Sequence, residues 1–205
     1  MQLNELSRRS GVSPASIKYY LREGLLPGGE AIHATRAEYS ARHLERLDLI
    51  QALRKIVGLN IAQIRGLVKM ADDGVPRLDL LAAVQRVVLN LENYTTAVGG
   101  DAAAATDAVV RLRCWPDSPS DARNALTAHL ELMASLNIPV SEDELETYSK
   151  AADDVAGIDI AATTAPESVD RLILTAAVGM HTHSQLLLKL LALAQASHAI
   201  RRYQG

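Results

Sequence analysis

The chain has 205 residues, 48% of them hydrophobic, which is enough for a buried core in one large or two small domains. The net charge of −3 is unevenly spread: residues 1–70 hold 11 Lys and Arg against 6 Asp and Glu, whereas the remainder holds 10 against 18, so only the first part suits a polyanion. A single cysteine, Cys114, excludes an intrachain disulfide and thiol-rich metal sites, and the absence of a signal-like or membrane-length apolar run predicts a cytoplasmic protein.

In chain order, the signals are almost all helical. A short helix is predicted over Leu3 to Ser10, stopped by Gly11, and a second opens at the capping pair Ser13-Pro14 and runs to Gly24. Two short helices joined by Gly11-Val12-Ser13 make a helix-turn-helix candidate. Residues 27–35 are too brief for a helix and are predicted to form a small hairpin, a wing. From Ser40 a helix continues to Gly58, with Leu44, Leu47, Ile50 and Leu53 facing inward and Leu49 and Ile56 widening the stripe. Asn60 and Gln63 form a capping pair for the next helix, whose buried face holds Ile61, Ile64, Leu67 and Val68.

Beyond Pro76 a longer helix is expected to about Val98. Its residues Leu81, Val84, Val88, Leu91, Thr95 and Val98 step alternately by three and four, as in a coiled-coil seam, with a second row at Leu80, Val87 and Tyr94; packing inside its own domain is the alternative. After Gly99-Gly100 everything reads as helix: from Ser118-Pro119 to about Leu136, from the capping box Ser141/Glu144 onward, and from Pro166 to about Arg202. The stretch Leu186 to Leu193 is apolar nearly all round, interrupted only by Lys189, and must be covered by other helices or by a second subunit.

The segment "SPASIKYYLREGLLP" carries the functional argument. Ile17 and Leu21 lie one turn apart and can face a core, while Ser16, Lys18, Tyr19 and Arg22 fall on other sides. Lys and Arg neutralise phosphates and release counterions, tyrosine hydroxyls donate to phosphate oxygens, and the capped helix start offers free amides to an anion. Tyr20 is placed in this set with core packing as its alternative. Arg42 and Arg46 read as solvated helix charges, although Arg42 lies close to the wing.

The run "ELSRRSGVSPASIKYYLREGLLP" resembles the winged helix-turn-helix of the MerR family of transcriptional regulators, and "ATRAEYSARHLERLDLIQALRKIVGLNIAQIRGLV" is similar to the rest of that domain in order and spacing. The resemblance covers about residues 1–70. It implies that the second helix enters the major groove, that the wing lies along the backbone, and that the helix at 77–98 pairs antiparallel with its copy. It also implies a homodimer on pseudo-palindromic double-stranded promoter DNA that realigns the promoter for RNA polymerase. The DNA-contacting set is then Ser13, Ser16, Lys18, Tyr19, Tyr20, Arg22, His33, Arg36, Tyr39 and Arg42. The dimerisation set is Leu81, Val84, Val88, Leu91 and Val98. Lys18 stands where the family usually has arginine, Leu21 replaces a usual polar residue, and the wing lacks the common Gly-Tyr-Arg sequence.

The second half carries no metal or cofactor motif: His181 and His183 point about 200° apart on a helix, and Cys114 beside Trp115 reads as a small buried residue. Its all-helical layout weakly resembles the ligand and dimerisation domains of TetR-type repressors. A small apolar or amphipathic effector is expected there, with Trp115, Met133, Tyr148, Met180 and His181 as lining candidates; a domain for oligomerisation alone is the alternative. Glu142, Asp143, Glu144, Glu146, Asp153 and Asp154 supply carboxylates without a matching histidine, cysteine or metal motif, so an enzyme is not expected. The sequence therefore predicts an all-α regulator in three parts: a winged helix-turn-helix at 1–75 with a small β-wing, a dimerisation helix at 76–98 and a helical effector or oligomerisation domain at 99–205. The rival reading is an effector-independent architectural DNA-binding protein.

Overall fold

In a computed structural model, residues 1–33, 36–91, 100–116, 118–161, 163 and 168–204 are described; for 31–33 and 36 this extends to the backbone only. The fold is all-α with one two-stranded wing. Helix α1 (Leu3–Ser10) ends on Gly11, whose φ of +68° is the left-handed turn that a Cβ would strain. Helix α2 (Pro14–Arg22) starts where the Ser13 hydroxyl accepts the Ser16 amide at 3.1 Å. Strands β1 (Glu30–His33) and β2 (Arg36–Glu38) pair antiparallel, so the wing reaches three residues past the expected 35. Gly29 is required there, since a Cβ would stand 2.8 Å from the Glu38 carbonyl oxygen.

Helix α3 (Ala41–Ala52) opens on a capping box in which His43 plays the part usually taken by Glu. It then widens into a π turn, Leu53–Val57, closed by Gly58. The extra residue per turn shifts the phase of the apolar stripe, so Ile56, expected inside, is half exposed, while Leu59 beyond the turn is buried. Leu47, Leu49, Ile50 and Leu53 are fully buried as expected. Helix α4 (Ile61–Asp72) carries the Asn60/Gln63 box at 2.9 and 3.0 Å and buries Ile64, Leu67 and Val68.

Helix α5 (Arg77–Val88) is shorter than the expected 77–98: it stops where Asn90 takes a left-handed φ of +56°, a conformation that asparagine tolerates. The expected helix over 92–98, with Val98, lies outside the described residues. Helices α6 (Asp101–Leu112), α7 (Asp121–Ser135), α8 (Glu142–Ala161) and α9 (Val169–Gln204) complete the chain. Ser120, rather than Ser118, caps α7, and the Ser141/Glu144 box opens α8. The Ser141 bonds hold the Glu144 carboxyl below its usual range.

One core unites α1 to α5 with the first half of α9. Leu6, Ile17, Leu47 and Ile64 join Leu80 and Val84 of α5 and Leu172, Ile173 and Ala176 of α9. The second half is thinly packed: across α6, α7 and α8, Val109 is the one buried large hydrophobic among the described residues. Polar links supply the rest, as where the Thr106 and Thr127 hydroxyls meet at 2.9 Å and Arg113 donates to Ser149 at 3.0 Å.

Candidate nucleic-acid interface

Helices α1 and α2 are held from behind by three long side chains. Gln51 donates to the Ser10 carbonyl at 3.0 Å, fixing the end of α1. Arg54 donates to the Tyr20 hydroxyl at 2.9 Å. Arg65 reaches the Glu23 carbonyl at 3.0 Å and its carboxylate at 2.5 Å, tying down the C-terminus of α2. None of the three was singled out from sequence, because each partner lies 34 to 42 residues away and no local pattern links them.

The outer side of α2 is then open. Ser13 and Lys18 are exposed, Ser16 and Tyr19 are half-buried, and Arg22 is exposed with its guanidinium 5.2 Å from the centre of the Tyr19 ring. Two expected contacts are corrected. Tyr20 is buried in the core and spends its hydroxyl on Arg54, and Tyr39 is buried with its ring edge-on to His43 at 5.1 Å. The backbone of His33 and Arg36 sits in the wing, opposite one another; their side chains lie outside the described set. Arg42 is exposed and 3.5 Å from Asp72.

Arg46 departs most from expectation. It is 2% exposed, not solvated, and its guanidinium donates to Asp170 at 2.8 Å and to Asp72 at 2.8 and 3.1 Å. Burial works against its charge, but the two carboxylates outweigh burial and raise its pKa. The same Arg46 hydrogen bond is the main reason that Asp72 titrates below the usual carboxylate range. Nearby, burial pushes Asp48 up, opposed by Arg171. The clasp joins α3 and α4 to the first turn of α9, so the N-terminal helices and the last helix are locked together.

The expected dimer seam is not presented as one face. Val84 is fully buried against α9, Leu81 and Val88 are half-buried against the same core, and Leu91 is half-buried. The expected pocket residues are scattered as well. Trp115 donates to Asp153 at 2.6 Å and borders a cavity of about 190 Å³ with Val110 and Leu126. Met133, Tyr148, Met180 and His181 border none of the described cavities; Tyr148 is exposed and Met180 packs on the core. A larger cavity, about 540 Å³, opens between α6 and α8 over Ala104, Ala108, Val109, Leu112 and Leu145. Cys114 is exposed and ends α6 at a φ of +53°, so it is not the small buried residue expected.

A capped, basic second helix braced on a three-helix core beside a two-stranded wing defines a winged helix-turn-helix DNA-binding domain. Residues 1–71 match the family model of the MerR HTH family regulatory protein. The crystal structure of a candidate transcriptional regulator from Streptomyces coelicolor A3(2) is similar over its whole length. It has a TM-score of 0.67 and 28% identity, across 99% of this chain and 98% of that one. No curated protein matches the chain. Among the described residues, no helix is long and apolar enough to cross a membrane.

Proposed function

We propose that this DNA-binding regulator acts in the cytoplasm as a homodimer on pseudo-palindromic promoter DNA, under control of a small apolar or amphipathic effector. The observation that carries the DNA reading is the outer face of α2, where Lys18 and Arg22 are exposed while Ile17 and Tyr20 behind them are buried. Ser13, Ser16, Lys18, Tyr19 and Arg22 take the groove and its phosphates, with Arg42 and the wing residues His33 and Arg36 on the flanking backbone. Tyr19 and Arg22 act as one unit, the ring holding the guanidinium extended.

The effector reading is supported by the cavity between α6 and α8, whose volume falls within the range of small-molecule sites and whose apolar floor is rimmed by Asp101, Glu142, Asp143 and Glu146, a lining that suits an amphipathic molecule. In this reading α5 and the first half of α9 brace the DNA-binding domain, and α6 to α8 form the effector part. The reaction at the promoter is positional, not chemical: the protein bends or realigns the duplex for RNA polymerase.

Footprinting on the DNA upstream of its own gene, over a range of salt concentrations, tests the proposal. A symmetric protected site with a steep salt slope is expected. Protection without sequence preference would replace this reading by an architectural one, and no protection with or without added ligands would overturn it.

A further inference from the structure

Helix α9 has 36 residues and so extends about 54 Å, but only its first half is packed on the core. From Gln185 to Gln204 every residue except Ser197 is exposed. That stretch holds six leucines between positions 186 and 193, each 45–65% exposed, followed by Ile200 and Tyr203. This half of the helix gains no packing from the core, and an apolar patch of this size is a liability on a monomer.

The leucines occupy more than one side. Leu186, Leu187 and Leu190 form one wall of a groove of about 260 Å³ whose other wall is Val155 and Ile158 of α8. Leu188 and Leu191 lie roughly 120° further round the helix. A two-stranded coiled coil needs one apolar stripe; a helix apolar on several sides is one that is enclosed.

We propose that a second copy of the chain seats its α9 antiparallel along this α9, so that α8 and α9 of both copies enclose the leucines in a four-helix bundle. Helix α9, not α5, then holds the subunits together. This rests on the homodimeric reading above and names its interface. The exposed halves of eight large side chains, on the order of 90 Å² each, offer about 700 Å² per copy, close to the roughly 800 Å² that a stable dimer buries on each partner.

Charge selects a second copy and its direction. The C-terminal end of α9 is basic, with Arg201 and Arg202, and α8 is acidic, with Asp153, Asp154 and Asp159. Antiparallel seating carries each basic end back along the other copy towards the level of Asp159, and sets the helix dipoles head to tail; parallel seating would stack four arginines. The patch is thus complementary to itself, which a twofold interface requires.

The test is sedimentation of the full chain and of Leu188→Glu/Leu191→Glu, with circular dichroism on both. A wild-type dimer whose dissociation constant rises at least ~100-fold in the variant, with helix content in the core kept, is expected. A wild-type monomer overturns this proposal together with the homodimeric reading; a variant that stays as dimeric as wild type overturns this proposal alone. Should the variant unfold, cross-linking decides. In a Cys114→Ser background, Leu191→Cys gives a covalent dimer if the helices run antiparallel through the leucine run, and Tyr203→Cys does not. Cross-linking at Tyr203→Cys with none at Leu191→Cys would refute the arrangement.

Discussion

Replacing Arg46 by alanine tests the clasp between the DNA-binding domain and α9. The substitution leaves Asp170, 7% exposed, without the guanidinium that donates to it at 2.8 Å. Removing one partner of a buried ion pair costs about 3–5 kcal/mol. Asp72 is 39% exposed, so water recovers much of its share, and Asp170 keeps the favourable first turn of α9. The expected loss is therefore at the lower end, about 3 kcal/mol. For a chain of this size that corresponds to a fall in Tm of roughly 6–12 °C, read by thermal melting with far-ultraviolet dichroism at neutral pH. Arg46→Lys should fall between, keeping charge but losing the fork that spans two carboxylates. The double variant Arg46→Ala/Asp170→Ala should be more stable than the sum of the single losses by about 1–3 kcal/mol, since the stranded carboxylate is gone. Arg46→Ala melting within about 2 °C of wild type would refute the clasp as a source of stability.

Three further outcomes follow from the same geometry. Lys18→Ala should weaken promoter binding and lower the salt slope by about one unit in fluorescence anisotropy titrations, and an unchanged slope would remove Lys18 from the interface. Tyr20→Phe should cost about 1 kcal/mol in urea unfolding through the lost Arg54 bond and leave DNA affinity as it was, whereas Tyr19→Phe should do the reverse; a Tyr20→Phe variant that binds DNA poorly at full stability would restore Tyr20 to the contact set. Asp72 has a depressed folded pKa, so its contribution is complete above the normal carboxylate range and disappears as pH falls through the folded value. Acid titration of wild type against Asp72→Asn should show the two curves converging below about pH 4, and parallel curves down to pH 2 would count against the linkage.

The helices were legible where the chain punctuates itself. Gly11, Gly24 and Gly58 sit in left-handed turns, and Ser13, Asn60 and Ser141 cap the helices that they introduce. The outer face of α2 was legible for a similar reason: five residues of one helix decide it. What stayed hidden depends on distant partners. Arg46 looked solvated because its two acids lie 26 and 124 residues away. Tyr20 and Tyr39 carry the same letters as phosphate ligands, and only the packing of Arg54 and His43 around them shows that they face inward. Ile56 was misplaced by a π turn that periodicity at 3.6 residues cannot register. The row of valines and leucines in α5 fits a seam between copies or a core within one chain equally well, and α9 is what turns it into core.

Trp115 is the chain's sole tryptophan, and it stands at the end of α6 with its indole nitrogen bonded to Asp153 of α8. The protein is thereby labelled at one end only. Selective excitation of the indole reports on the α6–α8 region, next to the larger cavity, and is blind to the winged helix-turn-helix, whose optical signal comes from Tyr19, Tyr20 and Tyr39. Following indole emission beside far-ultraviolet dichroism during unfolding separates the loss of the thin C-terminal packing from the loss of the helical fold as a whole, with no dye and no substitution; tyrosine emission would mix both parts, because Tyr148 and Tyr203 lie in α8 and α9.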